Sequence, residues 1–187
     1  EARLDALKGK AEDIEADFRA IIKRLQSSDC VVPPMFNPLN DFSFAQTGAS
    51  VGEKINPFYK VRIMHNGLDL IAPSGDPVHA AADGVVTDVV KSRKGLGNVV
   101  TITHDGGYKT RYAHLADIEV RKGKKLKKGD RIGYVGVSGT SFAPHLHYEV
   151  LRDTLVMDPV NHFFASLDPE EYVNVMIMAA TTGQSLD

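Results

Sequence analysis

Three short segments carry side chains that could do chemistry together. The first is His145-Leu146-His147, within Ala-Pro-His-Leu-His-Tyr-Glu-Val. Its flanks read as a strand, and alternate residues of a strand share a face. Both imidazoles then point one way, with Leu146 and Tyr148 pointing the other. Two imidazoles side by side are costly to bury without partners, and a metal ion is one such partner. Glu149 shares their face by the same alternation. It is placed either to orient a metal ligand from behind or to pair with a nearby cation.

The second segment is His65-Asn66-Gly67-Leu68-Asp69. A His and a carboxylate four apart could share a helix face, but Asn66-Gly67, Pro73 and Gly75 argue against a helix. In a straight strand the two side chains would stand about 13 Å apart. One ion can bind both only if the chain bends between them. Asn66-Gly67 can supply that bend, since both residues tolerate positive φ. Taken alone, the segment also fits an ordinary turn with a surface His. The third segment, Tyr112-Ala113-His114-Leu115, reads as a strand end with Tyr112 and His114 on one face. Alone it is a single His at a sheet edge.

The elements that must position these groups are mostly strands. Val78 to Val90, Val99 to His104, Tyr108 to Leu115, Arg131 to Val137 and His145 to Leu151 are short apolar runs between Gly, Asp and Asn turns. Asp105-Gly106-Gly107 marks a hairpin. No helix-period stretch separates the strands, so an antiparallel sheet or sandwich is expected. Residues 57–165 would form that domain. Ahead of it, Leu4, Leu7, Ala11, Ile14, Phe18, Ile21 and Leu25 step by 3 and 4, a heptad seam over residues 1–29. A helix of that length spans roughly 40 Å. It reads as the end of a coiled-coil stalk, with a seam for self-association or a partner helix, or as one helix folded back on the domain. Residues 30–56, rich in Pro, Asn and Gly, read as a linker. Asp168-Pro169-Glu170-Glu171 opens a short helix in the tail at 166–187.

Composition bounds the function. The chain has 187 residues, 43% hydrophobic and 25% charged, with a net charge of −2. That balance gives no global basic field for nucleic acid. No apolar run reaches the ~18 residues of a membrane span. The sequence opens Glu-Ala-Arg, so an export signal or membrane anchor is expected upstream. The single Cys30 reads as a small buried or hinge-region thiol. The run from Arg121 to Lys128 reads as a solvated turn rather than a polymer-binding patch. His79, His104 and His162 read as structural or surface residues.

Taken jointly, His65-x-x-x-Asp69, Tyr-Ala-His114-Leu and His145-x-His147 closely resemble the lysostaphin/LytM-type family of zinc peptidases that cleave peptidoglycan. The runs Met64 to Val86 and Leu126 to Gly136 agree with it, and the likeness covers about residues 50–163. The resemblance implies a mainly β, lysostaphin/LytM-like domain of the duplicated hybrid-motif type. It implies one zinc ion per chain held by His65, Asp69 and His147, with His114 and His145 as unligated active-site histidines. Tyr59 falls where some members place a transition-state-stabilising Tyr, although a packed aromatic is the alternative. The implied substrate is peptidoglycan peptide, and the implied place is the bacterial cell envelope. Water activated at the ion would attack the amide, His145 or His114 would accept its proton, and the other would steady the oxyanion and the leaving amine. Two departures stand out. Ser141-Phe142-Ala143 replaces a common Ser-Thr-Gly, and Val51 to Pro57 replaces a Phe-Gly-x-Arg-x-His-Pro pattern; both bear on specificity. Competing readings are a non-catalytic regulator of another wall hydrolase on the same fold, a non-haem iron oxygenase triad, and a lipoyl-type carrier domain.

Overall fold

Apolar residues alternate with polar ones between tight turns from Gly84 onward, and the chain folds accordingly into antiparallel strands. The computed structural model describes residues 31–187 apart from Asp41. The helical stalk expected over 1–29 lies outside the described residues. Eleven strands follow in order: β1 (Gly52–Ile55), β2 (Arg62–His65), β3 (Leu68–Ile71), β4 (Pro77–His79), β5 (Gly84–Val90), β6 (Val99–Thr103), β7 (Tyr108–Ala113), β8 (Lys125–Leu126), β9 (Arg131–Tyr134), β10 (His145–Arg152) and β11 (Leu155–Met157). One helix, α1 (Pro169–Thr181), closes the described chain.

The main sheet runs β11-β10-β7-β6-β5-β8, with β3 also paired to β10. Strand β10 carries two partners end to end on one edge. Its first half, His145 to Tyr148, pairs with β3, and its last residues, Val150 to Arg152, pair with β11. On its other edge lies β7. Strands β1 and β2 form a separate hairpin, and β4 pairs with β9. The stretch from Val78 to Val90 is therefore two strands rather than one. The chain leaves β4 in the small sheet and enters β5 in the large one, turning at Ala80 to Asp83.

The core sits on one face of the main sheet. Leu146, Tyr148 and Val150 of β10, Leu68 and Leu70 of β3, and Tyr112 of β7 are all buried there. Each such apolar side chain contributes roughly 1.5–3 kcal/mol, which fastens the four-residue β3 to the sheet. Tyr112 and Tyr148, opposite each other in the register, bring their rings to 5.3 Å. Residues read as a linker join this core. Leu39, Phe42 and Ala49 are buried, and Phe42 meets Phe163 edge-on at 6.0 Å. Helix α1 begins as its sequence specifies, with Asp168 accepting the Glu171 N–H at 2.9 Å and Pro169 in the first turn. It buries Val175 and Ala179, and the Ser50 hydroxyl donates to the Ala179 carbonyl.

Candidate metal centre

The β3–β10 register places Asp69 directly opposite His147. His65 ends β2, three residues before β3 begins its return along β10. The bend between them needs room more than unusual dihedrals. Gly67 is not in the positive-φ set, but a Cβ on it would come within 2.7 Å of both His147 Nε2 and the Tyr148 carbonyl. The absent side chain lets the β2–β3 turn lie against β10 and carry His65 to Asp69.

His114 departs from the alternation expected of it. Tyr112 turns into the core, and the next residue but one on a regular strand would follow it. At His114 the backbone takes φ 57°. That left-handed value is uncommon for a residue with a side chain and costs of order 1 kcal/mol. It swings the imidazole to the opposite face, where the ring stands 4.8 Å from that of His145 and 6.1 Å from that of His147.

The hydrogen bonds fix the tautomers. His65 Nδ1 lies 2.9 Å from the Ser50 carbonyl, His114 Nδ1 2.7 Å from the Ser138 carbonyl and His145 Nδ1 2.8 Å from the Ala143 carbonyl. A carbonyl only accepts, so each Nδ1 carries the proton and each Nε2 is a bare acceptor. His147 is turned the other way. Its Nε2 faces Glu149 Oε1 at 3.3 Å, and Arg111 holds the other Glu149 oxygen at 2.6 Å. Its Nδ1 therefore faces inward.

Acceptors thus meet acceptors. His65 Nε2, His147 Nδ1 and Asp69 Oδ1 lie 3.0–3.1 Å from one another, all buried. In a tetrahedral site with bonds of ~2.0–2.2 Å, neighbouring ligand atoms stand about 3.3–3.6 Å apart. The observed spacing is within a few tenths of an ångström of that, and a bound cation reconciles three inward lone pairs. The donor set fits a divalent metal. Protonation answers the same demand. Burial works against the His147 imidazolium, but hydrogen bonds with Asp69 and Glu149 outweigh it and push the group up to about 10. Burial would likewise raise the Asp69 carboxyl, yet His147 and His65 hold it far below the usual carboxylate range. Nε2 of both His114 and His145 is buried with no hydrogen-bond partner.

The profile of Peptidase family M23 matches residues 63–159, just over half of the chain. The chain belongs to peptidase family M23. Among its relatives is the DD-carboxypeptidase/endopeptidase Mpg of Neisseria meningitidis, 40% identical over 119 residues, covering 63% of this chain and 27% of that protein. Another is the peptidoglycan DD-endopeptidase ShyA of Vibrio cholerae, 43% identical over 98 residues, covering 52% of this chain and 23% of that protein. The chain spans about a quarter of the length of these curated relatives. A solved zinc-containing peptidase from Vibrio cholerae superposes with a TM-score of 0.57 and 36% identity over 66% of this chain and 40% of that one.

Of the residues singled out from sequence, the M23 fold gathers His65, Asp69, His114, His145 and His147 in one place. Tyr59 stands apart. It lies in the turn of the β1–β2 hairpin, 71% exposed, and its hydroxyl makes no hydrogen bond to a site residue among the described residues. Phe142 is exposed at the rim with its ring against that of Phe58. His104 and His162 are buried structural residues away from the centre. One residue escaped the sequence reading. Asp187 brings Oδ2 to 3.4 Å from His147 Nδ1 and Oδ1 to 3.5 Å from His65 Nε2. With the three predicted ligands it completes a group of four candidate metal-binding side chains. A lone Asp beyond a helix carries no local signal of that position.

Proposed function

We propose that this M23 domain is a zinc-dependent endopeptidase that hydrolyses peptide cross-links or stem peptides of bacterial peptidoglycan. Its relatives named as peptidoglycan endopeptidases support the substrate class, and the zinc-containing neighbour supports the metal. Zinc, when bound, lowers the pKa of water toward ~7 and polarises an amide carbonyl. His65 Nε2, Asp69 Oδ1 and His147 Nδ1 would hold it, one ion per chain.

The observation that carries the reading is the pair of bare Nε2 atoms on His114 and His145, buried beside those ligands. An imidazole with its Nδ1 proton committed to a carbonyl can only accept at Nε2. One of the two takes the proton from the attacking water. Once protonated, it donates to the leaving amine; its neighbour would steady the oxyanion only when itself protonated at Nε2. Burial lowers the His145 pKa, which keeps that ring neutral and ready to accept. Tyr59 would join them only if the β1–β2 turn folded inward over bound substrate. Action on peptidoglycan places the domain in the cell envelope.

The test is mass analysis of muropeptides released by the purified zinc form. Release of cleaved stems or cross-links is expected. His114→Ala and His145→Ala should each retain one zinc and lose turnover by roughly 10²–10⁴-fold. Wild-type rates in both variants would end the mechanism. Absence of any product would favour the non-catalytic regulator, although that reading sits poorly with all five site residues converging.

A further inference from the structure

Beyond α1 the chain passes the end of β1 and reaches the metal centre. Lys54 Nζ donates to the Thr182 carbonyl at 2.7 Å, and the Ile55 N–H donates to the Gly183 carbonyl at 2.9 Å. The Ser185 N–H donates to the Ile55 carbonyl at 3.2 Å, and Asn56 Nδ2 donates to the Asp187 carbonyl at 3.0 Å. From the opposite flank the Phe142 N–H donates to the Leu186 carbonyl at 2.8 Å. The Leu186 N–H donates to Asp69 Oδ2 at 2.9 Å, which takes up the oxygen of that carboxylate not turned to the histidines. Residues 183–185 thus pair with the end of β1 in a parallel bridge at Ile55 and Gln184, and the segment continues to Asp187. Nearly all of these contacts are to the main chain, the mode by which a sheet edge captures an extended peptide.

The strand ends at the metal ligands. Asp187 Oδ1 is buried and lacks a hydrogen-bond partner, and it stands 3.5 Å from His65 Nε2, itself a bare acceptor. Asp187 Oδ2 faces His147 Nδ1 at 3.4 Å and His114 Nε2 at 3.8 Å. A second carboxylate beside Asp69 and among inward lone pairs calls for positive charge at that place.

We propose that residues 183–187 are an intramolecular ligand of the active site: the segment fills the peptide groove, paired with the end of β1, and the Asp187 carboxylate supplies the fourth ligand of the metal. This rests on the zinc-peptidase reading. The fourth position is the one that water and the scissile carbonyl must reach. A carboxylate on an extended peptide has the charge and shape of a hydrolysed product, so the docked segment holds the domain latent. Tethering gives it an effective concentration of order mM, which a polymeric substrate must displace. The observed activity is then that of the open fraction alone.

The experiment compares the whole chain with Asp187→Ala and with Ser185→Pro, which keeps the carboxylate but removes the donor to Ile55. Three quantities are read: the dissociation constant for zinc, the visible spectrum of the cobalt(II)-substituted protein, and amide hydrogen exchange at Ser185 and Leu186. Asp187→Ala should weaken zinc by about tenfold or more, change the cobalt ligand-field bands, and speed exchange at Leu186. Ser185→Pro should speed exchange at Leu186 in the same way. Hydrolysis of a peptidoglycan-derived peptide should rise by about tenfold in kcat/KM in both variants. Unchanged zinc affinity, cobalt spectrum and exchange in Asp187→Ala would overturn the proposal. So would slower hydrolysis by the zinc-loaded Asp187→Ala chain, since Asp187 would then belong to the catalytic machinery. If no form cleaves peptide, the peptidase reading fails, while zinc affinity, spectrum and exchange still decide whether the segment is a ligand.

Discussion

Two buried histidine networks share the main sheet, and they solve the same problem in opposite ways. In one, His104 Nδ1 donates to the Asp83 carbonyl at 2.7 Å, and its Nε2 lies 2.7 Å from the Thr110 hydroxyl. Thr110 Oγ1 is in turn 3.0 Å from Tyr112 Oη, which accepts the Ala81 N–H at 2.9 Å. Every side-chain polar atom along this chain has a partner within hydrogen-bond distance, so the chain closes on itself. In the other, His65, Asp69 and His147 turn acceptors toward one another, and His114 and His145 leave Nε2 unpaired. Burial disfavours the charged imidazole in both networks. It prevails at His104, whose pKa is lowered, and is overruled at His147 by Asp69 and Glu149. A buried polar network that satisfies itself is structural, and one whose acceptors face one another is built to meet a ligand.

Removing an inward acceptor tests that contrast most severely. His147→Ala should lose stoichiometric zinc and several kcal/mol of charge stabilisation, which is about a thousandfold in turnover. Zinc should raise the Tm of the wild type and leave that of the variant unmoved, by linkage of binding to folding. A variant that keeps one zinc at wild-type affinity would show that His147 is not a ligand. Glu149→Gln probes the same ligand from behind. The amide can present its NH₂ to His147 Nε2 and so lose the partner that orients Nδ1 inward, while Arg111 loses its ion pair. Zinc affinity should fall by about 10–100-fold with the fold intact, measured by competition with a chromophoric chelator. An unaltered affinity would reduce Glu149 to a partner of Arg111.

The closed network should answer differently. Thr110→Val leaves both His104 Nε2 and the Tyr112 hydroxyl short of a partner in a buried place. The cost should be about 1–3 kcal/mol, seen as a lower urea midpoint, with turnover per folded molecule and the zinc-induced rise in Tm both retained. Loss of zinc response in Thr110→Val would mean that the two networks are coupled through β7.

How far the sequence could see follows from the same physics. Strands β5, β6, β7, β9 and β10 announced themselves as apolar runs bounded by turns that need Gly, Asp or Asn. Strands β1, β3, β8 and β11 did not, since two to four residues are too few to show a period. The five clustered site residues were legible together only through the family resemblance: His145-x-His147 set two imidazoles on one strand face, while His65-x-x-x-Asp69 and His114 alone also fitted a turn and a sheet edge. The facing of His114 was not, because strand alternation puts it beside Tyr112 and only its positive φ reverses it. The role of Gly67 was misjudged in kind: clearance against His147, rather than a left-handed turn, makes it necessary. Residues 30–56 looked like a linker because their Pro and Gly content hid Leu39, Phe42 and Ala49, whose burial depends on tertiary contacts alone. Asp187 reaches the site by the path of α1, which no local pattern encodes.

The smallest effect is also the sharpest comparison of sign. His104 is buried neutral, with a folded pKa below its ordinary value near 6.5. The unfolded chain therefore binds a proton there that the native chain refuses. The contribution of His104 to stability is full above the unfolded pKa and is lost as pH falls from ~6.5 through the depressed folded value. His147 in the metal-free protein runs the other way: with a folded pKa near 10, its contribution is full below ~6.5 and is lost as pH rises. Other groups titrate too, so the measurement must be a difference. His104→Gln cannot titrate and keeps a polar side chain at that position. Between pH 7.5 and pH 5 the wild type, in chelator, should lose more unfolding free energy than His104→Gln does, by urea titration at each pH. An equal loss in the two proteins would mean that His104 accepts its proton without penalty, and that the network around Tyr112 is less closed than its hydrogen bonds imply.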